Sequence, residues 1–447
     1  MNVRITPHKF TGSVRIPASK SHTIRQLLIA SLADGESVIK NPLDSLDTRS
    51  CIEACKTFGA KINEVYDNKK LVSLGIIGNN NFKNSPRASA VNSSQIDVGN
   101  SGTTLYLTLA AAALQTQSIE FTGDESIQKR SAAPLLDALS CFGIQVQSNG
   151  GCAPITIKGG WKSGRASLSC PTSQYLSALL IAAPLAPSGV ITEIDIPLLN
   201  EKPYIDMTLS YLKNHGIPYE AAPDYSRFSI PGGSSWKTLN CPVPADFSSA
   251  AFPAVAAVIS GGKVSLLGLD PNDTQGDKYF LTMLEKMGCQ VQWQDAPANE
   301  GSERIVTVWR EGALCGGTFD LNETPDLLPA AAVTAAFAQG DTALVNVSHA
   351  RIKETDRIAV MAQELAKLGV CCTELPDGLI IHGKGGLFPD GASPDSQIPV
   401  INGHSDHRIV MAFAAAALGS PKSLEITTAE SAAVTYPDFL PLLTADN

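Results

Sequence analysis

The sequence lacks the features that would place it in a membrane or on a secretory route. No apolar run approaches the ~20 residues that span a bilayer. The first residues, MNVRITPHKF, contain no apolar core of a signal peptide. Only 17% of the residues are charged, with no basic run or stripe, and the net charge is −9. These properties argue against a nucleic-acid-binding surface. We expect a cytoplasmic protein.

The sequence also lacks the spacings typical of a metal site or a disulfide framework. Its ten cysteines include no CxxC pair, so free thiols in a reducing compartment are the better interpretation. His404 and His407 lie three residues apart with Asp406 between them, but no further ligand stands nearby. We therefore expect no metal.

What the chain does contain is a repeat. An alanine-rich apolar helix, closed by glycine or a small polar pair, is followed by a β-branched strand six times. The copies are RQLLIASLADGESVIKN, LYLTLAAAALQTQSIEFTG, LSALLIAAPLAPSGVITEI, AAFPAVAAVISGGKVSLLG, AAAVTAAFAQGDTALVNV and HRIVMAFAAAALGSPKSLEIT. A second helix-to-strand junction recurs at Gly59, Gly143, Gly216, Gly288 and Gly369. Such recurrence indicates one supersecondary unit copied along the chain. A chain of 447 residues exceeds one ordinary core, so we expect two domains of three units each.

Unusual polar clusters stand just before the alanine-rich helices. They are Lys20-Ser21, Asn100-Ser101-Gly102-Thr103, Thr172-Ser173-Gln174, Asp246-Phe247-Ser248-Ser249, Pro325-Asp326 and Asp406-His407-Arg408. Helix starts carry free N–H groups and a partial positive charge. Six of them facing one place would form an anion-binding site.

Cations and carboxylates concentrate near the same positions. Any single one is most simply a solvated surface charge, but as a group the cations suit phosphate and carboxylate oxygens. The cations are Lys20, Arg25, Arg130, Arg351, Lys353, Arg357 and Arg408, and the carboxylates are Asp326, Glu354, Asp356 and Asp406. Glu354 and Asp356 permit two interpretations. They belong either to ordinary helix pairing with Lys353 and Arg357 or to a proton donor whose pKa is set by its surroundings.

In this order the clusters resemble the EPSP synthase branch of the enolpyruvyl transferase family. The matching segments are SKSHTIR, DVGNSGTT, GDESIQKR, TSQYLSALL, KPYIDMT, ADFSSAAF, QGDKYF, TPDLLPAAAV, RIKETDRIAVMA, PDGLIIHG and DHRIVMAFA. They cover nearly the whole chain, and RIKETDRIAVMA together with DHRIVMAFA is highly specific.

The resemblance implies an α/β fold of two similar domains, each of three βαβαββ-like repeats, in the inside-out α/β barrel of the family. Residues 20–241 would form the first domain, mainly on the shikimate 3-phosphate side. Residues 1–19 and 242–447 would form the second, with the active site in the interdomain cleft.

The resemblance also implies a reaction. The enolpyruvyl group of phosphoenolpyruvate would pass to the 5-hydroxyl of shikimate 3-phosphate by addition and elimination, releasing phosphate. This step leads toward chorismate and the aromatic amino acids. The family uses no metal or organic cofactor. We expect small-molecule substrates only, no nucleic acid or membrane partner, and a monomer.

Residue by residue, the resemblance implies three groups. Phosphoenolpyruvate would be held by Lys20, Asn100, Gly102, Arg130, Gln174, Arg357 and Arg408. Shikimate 3-phosphate would be held by Lys20, Ser21, Arg25, Thr172, Ser173, Gln174, Tyr204, Asp326, His349 and Lys353. The catalytic groups would be Lys20, Asp326, Lys353 and Glu354, with Asp326 accepting the hydroxyl proton and Glu354 protonating the methylene carbon.

Four positions depart from the family pattern. Tyr106 stands where an arginine is common, and Val434 where a lysine often reaches phosphoenolpyruvate. His349 stands where an asparagine contacts shikimate. Glu201 stands where a serine often touches the shikimate phosphate, and a carboxylate there would repel that phosphate unless it is turned away.

Two alternatives remain at this point. The first is an enolpyruvyl transferase acting on a UDP-sugar in cell-wall synthesis, but such a relative usually carries a reactive loop cysteine and lacks the KETDR and DHR pairing. The second is a non-catalytic binding protein that kept the fold. The joint presence of Asp326, Lys353 and Glu354 argues against the second.

Overall fold

A computed structural model describes residues 1–79, 95–295, 304–388 and 397–444. The chain divides into two compact units. Unit A is Lys20–Val243, and unit B combines Met1–Ser19 with Pro244–Asn447. Among the described residues, no helix has both the length and the apolarity needed to cross a membrane.

The N-terminal segment of unit B supplies two strands, and unit A follows. The strands of the N-terminal segment are β1 (Val3–Ile5) and β2 (Thr11–Arg15). The helices of unit A are α1 (Lys20–Leu32), α2 (Leu46–Thr57), α3 (Gly102–Ala112), α4 (Ala133–Cys141), α5 (Gln174–Ala182) and α6 (Lys202–His215). Its strands are β3 (Glu36–Lys40), β4 (Lys61–Asp67), β5 (Lys70–Ile77), β6 (Gln95–Asp97), β7 (Ser118–Thr122), β8 (Gln145–Asn149), β9 (Cys152–Lys158), β10 (Gly164–Cys170), β11 (Ile191–Leu199), β12 (Glu220–Ala221), β13 (Arg227–Pro231) and β14 (Asn240–Pro242).

The remainder of unit B continues the alternation of helices and strands. Its helices are α7 (Phe247–Ser260), α8 (Tyr279–Lys286), α9 (Leu328–Ala336), α10 (Arg357–Lys367), α11 (His407–Leu418) and α12 (Phe439–Thr444). Its strands are β15 (Lys263–Leu269), β16 (Cys289–Asp295), β17 (Arg304–Arg310), β18 (Leu314–Cys315), β19 (Thr318–Asp320), β20 (Ala338–Val345), β21 (Cys371–Leu375), β22 (Gly378–Lys384), β23 (Val400–Ile401) and β24 (Leu424–Ile426).

The three sheets of unit A share one strand order. They run β14-β3-β5-β4, β6-β7-β9-β8 and β10-β11-β13-β12. In each sheet the first two strands are parallel and the remaining pairs are antiparallel. This is the predicted βαβαββ repeat. In the first repeat the opening strand is β14, from the far end of the unit, with Asn240 opposite Val38.

Unit B repeats the pattern with two variations. Its first sheet is β2-β15-β17-β16, opened by the N-terminal strand β2, and its second is β18-β20-β22-β21 with β19 also beside β20. Among the described residues, the sixth copy departs from the expected four strands. It forms the three-stranded sheet β1-β24-β23, in which β1 takes the antiparallel place beside β24.

The alanine-rich helices form the core of each repeat. Every residue of α9 and of α11 is buried, as expected for helices that are apolar all round. The intervening helices bury one stripe only, as in α10, where Ile358, Met361 and Leu365 follow a helical spacing. All five junction glycines have positive φ, between 70° at Gly216 and 98° at Gly288. These glycines therefore end the second helices in the left-handed conformation that glycine adopts readily.

Candidate active site

All six polar clusters lie at helix starts, as predicted. Ser101, Asp246 and Asp406 are side-chain N-caps of α3, α7 and α11. Ser173 precedes α5, and a 3₁₀ turn at Pro325–Leu327 leads into α9. Lys20 and Ser21 do not stand before their helix, as the sequence suggested, but are the first two residues of α1.

In unit A, Lys20 is paired with a carboxylate that no sequence motif indicates. Its Nζ lies 3.1 Å from Asp47 Oδ2, and the Asp47 side chain is 5% exposed. Asp47 lies in the first turn of α2, whose N-cap is Ser45. An acidic residue is common in the first turn of a helix, where it interacts favourably with the helix dipole. The position of Asp47 in the sequence therefore does not indicate that it neutralises a lysine of another helix.

Arg130 lies against the start of α3. One Nη atom is 2.9 Å from Ser126 Oγ and 3.5 Å from Asn100 Oδ1. A Cβ added at Gly102 would lie 2.8 Å from Arg130 Nη1, so the guanidinium can keep this position only while residue 102 is glycine. The structure thus brings Asn100, Gly102 and Arg130 together.

Arg25 is fully enclosed. Its Nε donates to Thr208 Oγ1 at 3.0 Å, and Nη2 donates to Ser177 Oγ at 3.1 Å. Further bonds reach the main-chain oxygens of Ser21 at 3.1 Å and Tyr204 at 3.4 Å. Burial lowers the pKa of Arg25 to about 10, so it stays cationic near neutral pH. Arg25 therefore ties α1 to α5 and α6 and positions Ser21 and Tyr204.

The Glu201 side chain contacts the polar cluster Thr172-Ser173-Gln174 at the start of α5. The Glu201 Oε2 atom accepts hydrogen bonds from Thr172 Oγ1 at 3.1 Å and from Ser173 at two atoms, N at 3.0 Å and Oγ at 2.9 Å. Gln174 Nε2 donates to Thr172 Oγ1 at 3.0 Å. The carboxylate is not turned away from the cluster; it is turned into it.

Tyr106 is part of the packing between helices. Its ring meets that of Tyr175 edge to face, with centroids 5.0 Å apart and an interplanar angle of 88°. The Tyr175 hydroxyl donates to the main-chain oxygen of Ser131 at 2.6 Å. At the position where an arginine is common, this chain therefore has a buried aromatic contact between α3 and α5.

In unit B, Asp326 is held by two arginines. Arg357 Nη1 lies 2.8 Å from Oδ1 and Arg408 Nη2 lies 2.9 Å from Oδ2. Arg357 is the first residue of α10, and Arg408 is the second residue of α11. Each oxygen of Asp326 is thus engaged by a cation from a helix start.

Arg357 bridges two further carboxylates. Its side chain is 1% exposed, and its Nε lies 2.8 Å from Asp406 Oδ2 while Nη2 lies 2.5 Å from Glu354 Oε2. Glu354 lies before the first residue of α10. Its ion pair with Arg357 is therefore not a pair between two residues on the surface of one helix, which was the first of the two interpretations. Asp356, by contrast, caps α10 and pairs with Arg351 at 2.7 Å.

Charge and burial act in opposite directions on this cluster. Burial alone would raise the pKa of Asp326, but the charges of Arg408, Lys353 and Arg357 outweigh it and hold that pKa well below its ordinary value. Burial lowers the pKa of Arg357, yet its three carboxylate partners raise it above the ordinary value. Asp326 is therefore a firmly ionised group while both arginines contact it.

His349, Val434 and Lys353 each lie in or beside a 3₁₀ turn of unit B. His349 is buried, and its Nε2 lies 3.0 Å from the main-chain oxygen of Asn322. Val434 ends the 3₁₀ turn Ala429–Val434 and is half-buried. Lys353 follows the 3₁₀ turn Ser348–Ile352 and is half-buried, close enough to Asp326 to lower its pKa.

Asp277 joins the unit B cluster, although no sequence pattern indicates a role for it. Its Oδ2 accepts from Ser248 Oγ at 2.5 Å, and Arg408 Nη1 donates to the same Ser248 oxygen at 2.8 Å. Burial first, and then the charge of Asp326, raise the pKa of Asp277 to about 7. Its segment, QGDKYF, was recognised only as one that matches the family.

Replacing Asp277 by asparagine should change how stability depends on pH. The folded pKa of about 7 exceeds the ordinary 3.8, so the carboxyl's contribution is present below about pH 4 and is lost as the pH rises toward 7. Between pH 5 and pH 8 the wild type should lose about 2–3 kcal/mol more unfolding free energy than Asp277→Asn. Urea unfolding measures this. Asp137→Asn, at an exposed position on α4, should follow the wild type. An Asp277→Asn protein with wild-type pH dependence would contradict the assignment.

Six α/β repeats, with cation and carboxylate clusters at their helix starts, define a protein of the enolpyruvyl transferase class. The family whose model matches is EPSP synthase (3-phosphoshikimate 1-carboxyvinyltransferase), over residues 5–443. The relative from Acetivibrio thermocellus, named 3-phosphoshikimate 1-carboxyvinyltransferase, is 44% identical over 99% of this chain and 97% of its own. The one from Ruminiclostridium cellulolyticum has the same name and is 41% identical over 98% and 97%.

Solved structures give the same result. The 2.37 Å structure of EPSP synthase from Acinetobacter baumannii superposes with a TM-score of 0.76 at 29% identity, covering 99% of this chain and 97% of its own. The chain belongs to the EPSP synthase (3-phosphoshikimate 1-carboxyvinyltransferase) family. The resemblance and the fold class inferred from the sequence are thereby confirmed, and the UDP-sugar alternative is disfavoured.

Proposed function

We propose that this protein transfers the enolpyruvyl group of phosphoenolpyruvate to the 5-hydroxyl of shikimate 3-phosphate, releasing phosphate. The observation that carries the proposal is the unit B cluster. Asp326, Glu354 and two arginines lie within direct contact there, in a chain of this family. Two anionic substrates require dense cationic groups, and fixed cations also align the reacting atoms.

The residues of unit A would bind the substrates' anionic groups. Arg130 beside Asn100 and Gly102 would hold phosphoenolpyruvate together with Lys20 and Gln174. Shikimate 3-phosphate would be held by Lys20, Ser21, Thr172, Ser173, Gln174 and Tyr204. The enclosure of Arg25 supports a positioning role, because its donors already bind internal groups.

The unit B residues would carry out the proton transfers. The 5-hydroxyl oxygen attacks C2 of phosphoenolpyruvate, its proton passes to Asp326, and Glu354 protonates C3 to give a tetrahedral intermediate. Loss of phosphate then breaks the C2–O bond while Glu354 takes a proton back from C3. Lys353 would help to hold shikimate 3-phosphate beside Asp326, and His349 is proposed to contact the same substrate.

The arginines would also control the base. Arg357 and Arg408 are proposed to bind the phosphate and carboxylate of phosphoenolpyruvate. Each bond they make to that substrate weakens their hold on Asp326, whose pKa then rises toward a value suited to accepting a proton. Substrate binding would in this way activate Asp326.

The proposed reaction is tested by phosphate release. Purified protein with both substrates should release phosphate continuously in a coupled assay, and omission of either substrate should abolish the signal. A correctly folded wild type that releases no phosphate would contradict the proposed reaction.

We further propose a cytoplasmic location and a monomeric state. The cysteines among the described residues are free, and Cys51, Cys55, Cys170 and Cys289 are buried, which suits a reducing compartment. Cell fractionation tests the location, and light scattering after size-exclusion chromatography tests the monomer.

Replacing Gly102 by alanine should weaken phosphoenolpyruvate binding specifically. The new Cβ would lie 2.8 Å from Arg130 Nη1, and the flexible arginine would have to shift away. We expect KM for phosphoenolpyruvate to rise about tenfold or more, with KM for shikimate 3-phosphate within about twofold of the wild type. Gly312→Ala is the control, because its Cβ would meet open space. Equal changes in both KM values would contradict the assignment.

A further inference from the structure

Glu201 is a buried carboxylate whose side chain serves a helix other than its own. It occupies the N-cap position of α6, yet it makes no side-chain cap bond there. Its Oε2 instead accepts three hydrogen bonds from Thr172 and Ser173 at the start of α5, at 2.9–3.1 Å. The residue is 2% exposed. The carboxylate therefore fills the anion-binding position of the neighbouring helix.

The backbone at Glu201 supports this placement. Its φ is 59° and its ψ is 42°, the left-handed region, which is unfavourable for a residue with a Cβ. Strained backbone of this kind persists where the surroundings enforce it, and it occurs often at ligand sites. Tyr204 N donates to the Glu201 main-chain oxygen at 3.1 Å, which anchors the turn.

The electrostatic setting is that of a bound anion. A negative charge at the start of α5 is favoured by the partial positive charge of that helix end. The charge of Glu201 also acts on the buried Arg25, whose pKa it raises against the larger effect of burial. Two hydroxyls and one main-chain N–H converging on a single oxygen form the arrangement that a phosphate oxygen would use.

We propose that Glu201 is an internal anion that occupies the 3-phosphate position at Thr172 and Ser173 and must be displaced before shikimate 3-phosphate binds. This inference rests on the proposed function for the identity of the displacing ligand. Three donors cannot serve two anions at once, and like charges held a few ångströms apart repel. Displacement of Glu201 is then part of substrate binding.

Displacement also provides selectivity. A phosphate monoester brings close to two negative charges and three terminal oxygens, so it gains more from the same donors than the carboxylate that it replaces. A competing monoanion gains no such advantage over Glu201. Glu201 therefore discriminates against weaker anions at this position, in exchange for lower affinity toward the proper substrate.

The test compares two variants with the wild type. Glu201→Gln keeps the size of the side chain without its charge, and Glu201→Ser removes the occupant. Isothermal titration calorimetry with shikimate 3-phosphate should show binding about tenfold tighter or more in both variants. Inorganic phosphate should bind measurably to Glu201→Ser and much more weakly to the wild type. In steady-state assays KM for shikimate 3-phosphate should fall in both variants relative to the wild type.

Glu193→Gln, at an exposed ion pair of unit A, is the matched control and should leave all these values unchanged. If Glu201 serves only to hold the turn, both variants will bind shikimate 3-phosphate as weakly as the wild type or more weakly, and the inference is overturned. That outcome leaves the proposed reaction intact as long as the wild type turns over. If the wild type does not turn over, the proposed reaction fails, and the phosphate titrations still decide whether Glu201 blocks an anion position.

Discussion

Replacing Glu354 by glutamine should reduce turnover by about 10²–10⁴-fold while leaving substrate binding close to the wild type. In the wild type, Arg357 contacts Glu354 Oε2. Glutamine has the same size as glutamate, and its amide oxygen can still accept a hydrogen bond from Arg357. The amide has no acidic proton to give to the methylene carbon, and it is too weak a base to take one back. Rapid-mixing measurement of phosphate release gives the rate, and calorimetry gives the binding constants.

Glu323→Gln, at an exposed position in the turn before α9, is the matched control for this change and should turn over normally. A Glu354→Gln variant that keeps more than about a tenth of the wild-type kcat would show that another group transfers the proton. A variant that lost binding and turnover equally would assign Glu354 to holding Arg357 instead.

Replacing Arg357 by methionine should have the largest effect on stability. The guanidinium is 1% exposed and contacts Asp326, Glu354 and Asp406, so its removal leaves carboxylates close together without their shared cation. Breaking a buried ion pair from one side is unfavourable by about 3–5 kcal/mol. Urea unfolding at pH 7 should show a loss of that size, together with loss of turnover.

The pH dependence of this loss identifies its cause. In the wild type the low pKa of Asp326 contributes stability above its ordinary pKa near 4, and this stability is lost as the pH falls. The difference between wild type and Arg357→Met should therefore shrink in acid, where the carboxylates become protonated. Arg304→Met, which breaks an exposed pair with Asp295, should change stability by less than about 1 kcal/mol at either pH. A loss that does not depend on pH would point to packing alone.

Much of the site could be predicted because helix starts are local features. Capping residues act within three or four positions of the chain, so Ser101, Asp246 and Asp406 were readable as starts of α3, α7 and α11. The repeat could also be predicted from the sequence. Alanine-rich segments recur along the chain, and so do the glycines that follow the second helix of each repeat.

The missed features depend on contacts between distant segments. Asp47 neutralises Lys20 from another helix, and Ser248 links Asp277 to Arg408. No spacing rule connects such residues. The departure at Glu201 was visible in the sequence, but its left-handed backbone and its contact with the start of α5 were not.

By itself the sequence determined the six repeats, their helix starts, their glycine endings and the family, because each depends on residues close together along the chain. Only the tertiary structure decided which strands complete the sheets, as when β14 opens the first sheet of unit A and β1 closes the last sheet of unit B. It alone showed that Arg357 contacts three carboxylates and that Glu201 accepts three hydrogen bonds at the start of α5. Those outcomes depend on burial and on pairing between residues far apart in the sequence. Donors and acceptors that are removed from water need partners, and the fold determines which residues lie close enough to serve.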